Sequence, residues 1–196
     1  MDEKEKTVPL NDAIKQVRVM GVRLALIHLA FSRVLVETLG ERKGKEAVLK
    51  AMMEYGRMVG ERNRAGQQDL PFYGIQEKCI YDGEEFVDKR QRPGGAGEAF
   101  DFSRYRVEGC ILAKVFEECG EKELGCLYCY VDAAKSMACD PARKIVHTAC
   151  EGVGDGYCGF KVVPTTEKER KDFESRDIAW KEVDSILAKG SGLDRD

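Results

Sequence analysis

The segment from Lys122 to Ala138 constrains the fold most, because Leu124, Cys126, Leu127, Cys129, Tyr130, Val131, Ala133, Ala134 and Met137 leave it apolar almost all the way round. A helix that is apolar on every side is buried, so the rest of the chain has to be arranged around it. At 100° per residue one polar stripe survives, made of Glu121, Gly125, Tyr128, Asp132, Lys135 and Ser136, with Cys129 at its border. The stripe either meets water, with Asp132 pairing to Lys135, or lines a pocket. Between Glu123 and Val163 lie five of the eight cysteines and one of the two histidines, so chemistry is expected here.

Upstream, a long helix is predicted from Asn11 or Asp12, either of which can cap it, to Leu39, with Gly40 as its stop. His28 lies among Ile27, Leu29 and Phe31 and reads as a packed core histidine. A second helix is expected from Lys43 to Ala65, with Gly56 and Gly60 one turn apart. Glycine inside a helix is about 1 kcal/mol worse than alanine, so the pair implies close approach of another backbone. Arg57 and Arg62 on this helix read either as part of a solvated end or as a fork for a substrate carboxylate.

From Gly66 to about Phe100 the chain lacks periodicity, carries Pro71, Pro93 and PGGAGE, and reads as a lid or a solvated tip with one short strand around Ile75 to Ile80. A strand is predicted over Phe100 to Glu108 and a short helix from Cys110 to Cys119. Cys110 then occupies a helix N-terminus, where the dipole favours a thiolate; the competing reading is a buried thiol at a corner. Asp140-Pro141 ends the apolar helix, and Lys144 to Cys150 with Tyr157 to Val163 forms a hairpin. Cys158, Phe160 and Val162 are expected on its core face, with Ile145, His147 and Ala149 opposite them. Thr166-x-x-Glu169 is a capping box opening one helix to about Lys189. This order implies a single α+β domain over 1–196, with a core from about 10 to 189. Long N-terminal helices would pack with further helices on one face of a small antiparallel sheet.

A net charge of −3 with interspersed signs gives no reason to expect nucleic acid or an anionic membrane as partner. The acidic MDEKEK start and an apolar run, Leu24 to Ala30, interrupted by His28 and too short to span a bilayer, point to a cytoplasmic protein with reduced thiols. The partner expected is a small molecule, with room for a homodimer, and no cofactor is required. Zinc held by Cys126, Cys129, Cys150 and Cys158 is the alternative, but zinc pairs usually sit on a tight turn and LGCLYCYV reads as helix.

YGRMVGERNR (Tyr55 to Arg64), VEGC (Val107 to Cys110), ELGCLYCYVDAAK (Glu123 to Lys135), Asp140-Pro141 and GDGYCGF (Gly154 to Phe160), in this order, resemble the L-2-amino-thiazoline-4-carboxylic acid hydrolase family. The helix-pair-then-sheet order is also similar, more distantly, to 4-vinyl reductase and transport-particle subunit domains, which are binding modules. The first resemblance implies hydrolytic opening of a thiazoline-like or amidine-like ring at the carbon between nitrogen and sulfur. Chemistry then suggests His147 as base, Cys110 or Cys158 as nucleophile and Asp132 on the amidinium, with Arg57 or Arg62 and Cys129 contacting substrate. The second implies a non-catalytic small-molecule or metal sensor.

Overall fold

A computed structural model of the chain describes residues 7–66, 75–85 and 101–195. Its two long helices follow the apolar periodicity: α1 (Leu10–Leu39) and α2 (Glu41–Arg64) pack together across a joint at Gly40, whose φ of +82° favours glycine. Five strands form an open sheet: β1 (Lys78–Tyr81), β2 (Glu84–Glu85), β3 (Tyr105–Glu108), β4 (Arg143–Ala149) and β5 (Cys158–Pro164). Their order is β2-β1-β3-β5-β4, every neighbour antiparallel. The helices cover one face of this sheet, as the element order predicts. Much of the lid or tip reading, including Pro71, Pro93 and PGGAGE, lies outside the described residues.

The close approach implied by Gly56 and Gly60 is present, and its partner is α5 (Val131–Cys139). A Cβ at Gly56 would stand 2.3 Å from the Ala134 Cβ, and one at Gly60 2.4 Å from the Lys135 carbonyl oxygen. These contacts lay the buried segment along α2, and the core closes over Leu49, Met53, Phe116, Leu127, Tyr130, Met137, Trp180 and Leu187.

Four local expectations are corrected. The apolar segment is not one helix: α3 (Ile111–Glu118) leads into α4 (Lys122–Cys126), a 3₁₀ turn over Leu127–Tyr130, and then α5. The predicted strand from Phe100 begins only at Tyr105, because Asp101 caps a 3₁₀ turn over Phe102–Arg104 by accepting from the Ser103 amide. The C-terminal helix is likewise three pieces. After the capping box at Thr166, α6 (Glu167–Ser175) stops at Arg176 in the left-handed region; a 3₁₀ segment (Ile178–Val183) and α7 (Ser185–Ser191) each start at a capping aspartate, Asp177 and Asp184. Finally, the hairpin is less regular than alternation implies. Val162 is exposed, while Lys144 and Val146 are buried on the strand where only Ile145, His147 and Ala149 are expected inward.

Although Leu24–Ala30 alone is too short, α1 as a whole is long and apolar enough by length and composition to cross a membrane, a test that the core helix of a soluble protein also passes. Here one side of it, with Gly21, Ala25, His28, Leu29 and Ser32, is buried against the rest of the chain.

Candidate metal centre

Three side chains converge: one ligand atom each from Cys129, His147 and Cys150 lies within 4.8 Å of the other two. Cys129 comes from the 3₁₀ turn, whose three-residue period rotates it out of the helical register that the sequence implies. His147 lies near the end of β4 and Cys150 directly follows that strand. Three residues apart in a regular strand, they would point to opposite faces. The register shift between His147 and Ala149 adds one residue against β5 and brings both to one side.

The Cys129 and Cys150 sulfurs are 3.9 Å apart, far beyond a disulfide bond, and all eight cysteines are free. His147 is buried, in keeping with its expected inward placement, with its ring 5.1 Å from that of Phe160, its cross-strand partner. Its Nδ1 lies 2.9 Å from Asp184 Oδ2. A carboxylate only accepts, so Nδ1–H donates, which in the neutral imidazole leaves the lone pair on Nε2. The same Oδ2 accepts from the His147 backbone N–H at 2.7 Å, while Oδ1 caps α7 through the Ile186 and Leu187 amides. Asp184 is a site residue that sequence reasoning misses. Its signal, Asp-Ser ahead of Ile186 and Leu187, is an N-cap signature that a single long helix conceals.

Asp132 stands on the outer side of the cluster. Its Oδ2 is 3.8 Å from His147 Nε2 and its Oδ1 accepts from Lys135 Nζ at 2.5 Å, with both partners of that pair part-exposed. The two readings of the polar stripe therefore meet in one residue, which pairs with Lys135 and also faces the histidine.

The other thiols surround this centre. Cys158 is hydrogen-bonded with Cys150, and its sulfur accepts from the Glu151 N–H at 3.3 Å; it stands outside the 4.8 Å set. Cys126, the fourth member of the zinc alternative, is turned away, donating to the Glu123 carbonyl at 3.3 Å. The centre thus replaces Cys126 and Cys158 of that set by His147. Hydrogen bonding from Cys150 draws the Cys129 thiol down, but burial and neighbouring thiols prevail and leave it at about 11. Cys150 and Cys158 are raised as well, each chiefly through its thiol hydrogen bond.

Cys110 sits at the N-cap of α3, as predicted, yet burial pushes its thiol up to about 11. The Leu112 and Ala113 amides of the helix N-terminus do pull the thiol down, but burial outweighs them, and the nearby Glu151 carboxylate adds to the rise. Glu151 takes the Gly109 and Cys110 N–H groups, one on each carboxylate oxygen, at 2.7 Å. At Cys110 the helix-terminal effect is thus present but smaller than that of burial.

Arg57 is committed elsewhere: its Nη2 donates to the Phe173 carbonyl at 2.7 Å and its guanidinium lies 4.5 Å above the Phe173 ring. Arg62 is exposed at the end of α2. Neither joins the thiol–histidine cluster. Compared with protein-family models, curated proteins and solved structures, the chain matches none.

Proposed function

We propose that this chain is a sensor module that binds a thiolate-preferring divalent ion of the zinc class through Cys129 Sγ, His147 Nε2 and Cys150 Sγ. The observation that carries the reading is the 3.9 Å separation of the two sulfurs. Two thiolates at about 2.3 Å from a tetrahedral zinc stand roughly 3.8 Å apart. The Asp184–His147 hydrogen bond adds the carboxylate–histidine support that metal-ligating imidazoles use to fix their tautomer. With three protein ligands one position stays open, and Asp132, beside His147 Nε2, would face whatever small molecule fills it.

Metal analysis of the purified full chain after equilibration with zinc tests this. About one ion per chain is expected, as a single site requires. It should be lost in Cys129→Ser and Cys150→Ser and retained in Cys139→Ser, at an exposed cysteine. An ion-free wild-type chain, or full loading of Cys129→Ser, overturns it.

A second reading, hydrolysis of a thiazoline-like acid, has one observation in its favour besides the sequence motifs. Asp184, His147 and the cysteine thiols are arranged as orienter, base and nucleophile. Mass spectrometry after incubation with the thiazoline acid, on metal-loaded and metal-stripped protein, separates the two: turnover without bound metal favours the hydrolase.

A further inference from the structure

We infer that the exposed face of α1 is a self-association surface, on which a second copy of this chain packs its own α1 in antiparallel orientation. Met20, Ile27, Phe31 and Val34 are each between 52% and 66% exposed. Their spacing of seven, four and three residues puts them on one strip of the helix, away from buried Gly21, Ala25, His28 and Ser32. Together they leave on the order of 450 Å² of side chain open per copy, more than half of the roughly 800 Å² per partner in a standard interface. With exposed Thr38 and with Leu24, half-buried because it also packs against the core, the strip alternates steps of three and four residues over Met20 to Thr38, the repeat that lets two helices interlock.

Charge decides both the partner and the orientation. Arg23 and Glu37 are exposed along one flank of the strip, fourteen residues apart with Ala30 midway. Side by side in parallel, two copies would set Arg23 against Arg23 and Glu37 against Glu37. Antiparallel pairing about the Leu29–Ala30 level instead sets each Arg23 against the Glu37 of the second copy. The same register brings Ile27 onto Phe31, Leu24 onto Val34 and Met20 onto Thr38. Every apolar layer then meets an apolar or methyl-bearing partner, and both ion pairs form at once, as a two-fold contact requires. Val19 and Leu26 are exposed beyond this flank, and isolated apolar residues there need no partner.

Sedimentation equilibrium of the full chain, with circular dichroism and metal content as controls, tests this. The wild type is expected to run at twice the chain mass, and Phe31→Glu and Ile27→Glu at the chain mass with unchanged helix content. Arg23→Glu and Glu37→Arg should each weaken the dimer several-fold. Mixing those two variants should restore it as a heterodimer, because the two reversed charges then face each other at one end of the contact while the unaltered Arg23 and Glu37 still pair at the other. A monomeric wild type, a dimer that survives Phe31→Glu, or a mixture no tighter than its components overturns the proposal. So does partition of the wild type onto phosphatidylcholine vesicles that Phe31→Glu abolishes, since α1 would then meet lipid. Metal content reports on the metal reading independently of all these outcomes.

Discussion

Asp184 Oδ2 accepts two hydrogen bonds from one residue, the backbone N–H of His147 at 2.7 Å and its Nδ1–H at 2.9 Å. One carboxylate oxygen therefore fixes the backbone of β4, the tautomer of the imidazole and, through its twin, the start of α7.

Removing that oxygen should act on metal binding more than on the fold. Asp184→Asn keeps an acceptor for only part of this set, and metal affinity is expected to fall about 10- to 100-fold, the usual effect of losing an imidazole's support. Asp184→Ala also deletes the α7 cap and strands buried donors, so it should destabilise by on the order of 3 kcal/mol. Denaturant melts with chelator-competition titrations on both variants check this; equal affinities for wild type and Asp184→Asn would sink it.

Acid should expel the metal. In the metal-free fold Cys129 holds its proton up to about 11 and Cys150 is raised too, whereas a metal-bound cysteine is a thiolate. The free state thus carries two protons that the bound state lacks, and affinity must rise with pH. Below the thiol range the slope approaches roughly two log units per pH unit. Chelator competition between about pH 6 and pH 8, or proton release measured by calorimetry in buffers of different ionisation enthalpy, reads this slope. A flat profile would mean that the thiols are not ligands.

The Gly56 and Gly60 contacts make a sharper packing prediction. Alanine would gain up to about 1 kcal/mol in helix propensity, but its methyl would meet Ala134 Cβ at 2.3 Å or the Lys135 carbonyl at 2.4 Å. Overpacking of this kind typically costs about 1–3 kcal/mol, and backbone yields less readily than a side-chain end. Both variants should be net destabilised, Gly60→Ala the more, by urea denaturation. Stabilisation of either would show that α2 and α5 can move apart freely.

This contact is legible in the sequence because two interior glycines one turn apart weaken a helix unless a neighbouring backbone needs the room, and the capping box at Thr166 because its signal is local. The inward His147 is legible from strand alternation. What escapes are features set by tertiary context. Nothing in LGCLYCYV announces the 3₁₀ turn at Leu127 that re-aims Cys129. The bulge after His147, which lets Cys150 join it, is a property of the pairing with β5. Asp184 reads as a polar residue on a helix because Phe173, Trp180, Val183 and Leu187 support one continuous helical stripe. Only the interruption at Arg176, in the left-handed region, shows otherwise.

Thiol reactivity should invert the ranking that helix polarity alone predicts. Cys110 is half-buried, raised to about 11, and has the Glu151 carboxylate on its own backbone N–H, whereas Cys139 at the end of α5 is exposed. Limited alkylation near neutral pH, mapped by peptide mass, should label Cys139 first and Cys110 late. Early labelling of Cys110 would restore its standing as a nucleophile.

Asp132 separates the two functional readings. Its ion pair with Lys135 is part-exposed, so Asp132→Asn should change stability by no more than about 1 kcal/mol. Its other oxygen lies 3.8 Å from His147 Nε2, close enough to act on a ligand in the open metal position while outside the set formed by Cys129, His147 and Cys150. The amide preserves shape and removes charge, so Asp132→Asn should still load metal to the wild-type level while binding a cationic or hydrogen-bond-donating ligand more weakly. In the hydrolase reading the same change removes the group that holds the amidinium, and turnover should fall steeply in metal-stripped protein. Metal loading, ligand titration and turnover measured on the one variant therefore give different patterns for sensor and enzyme, and a variant unchanged in all three would return Asp132 to a surface ion pair.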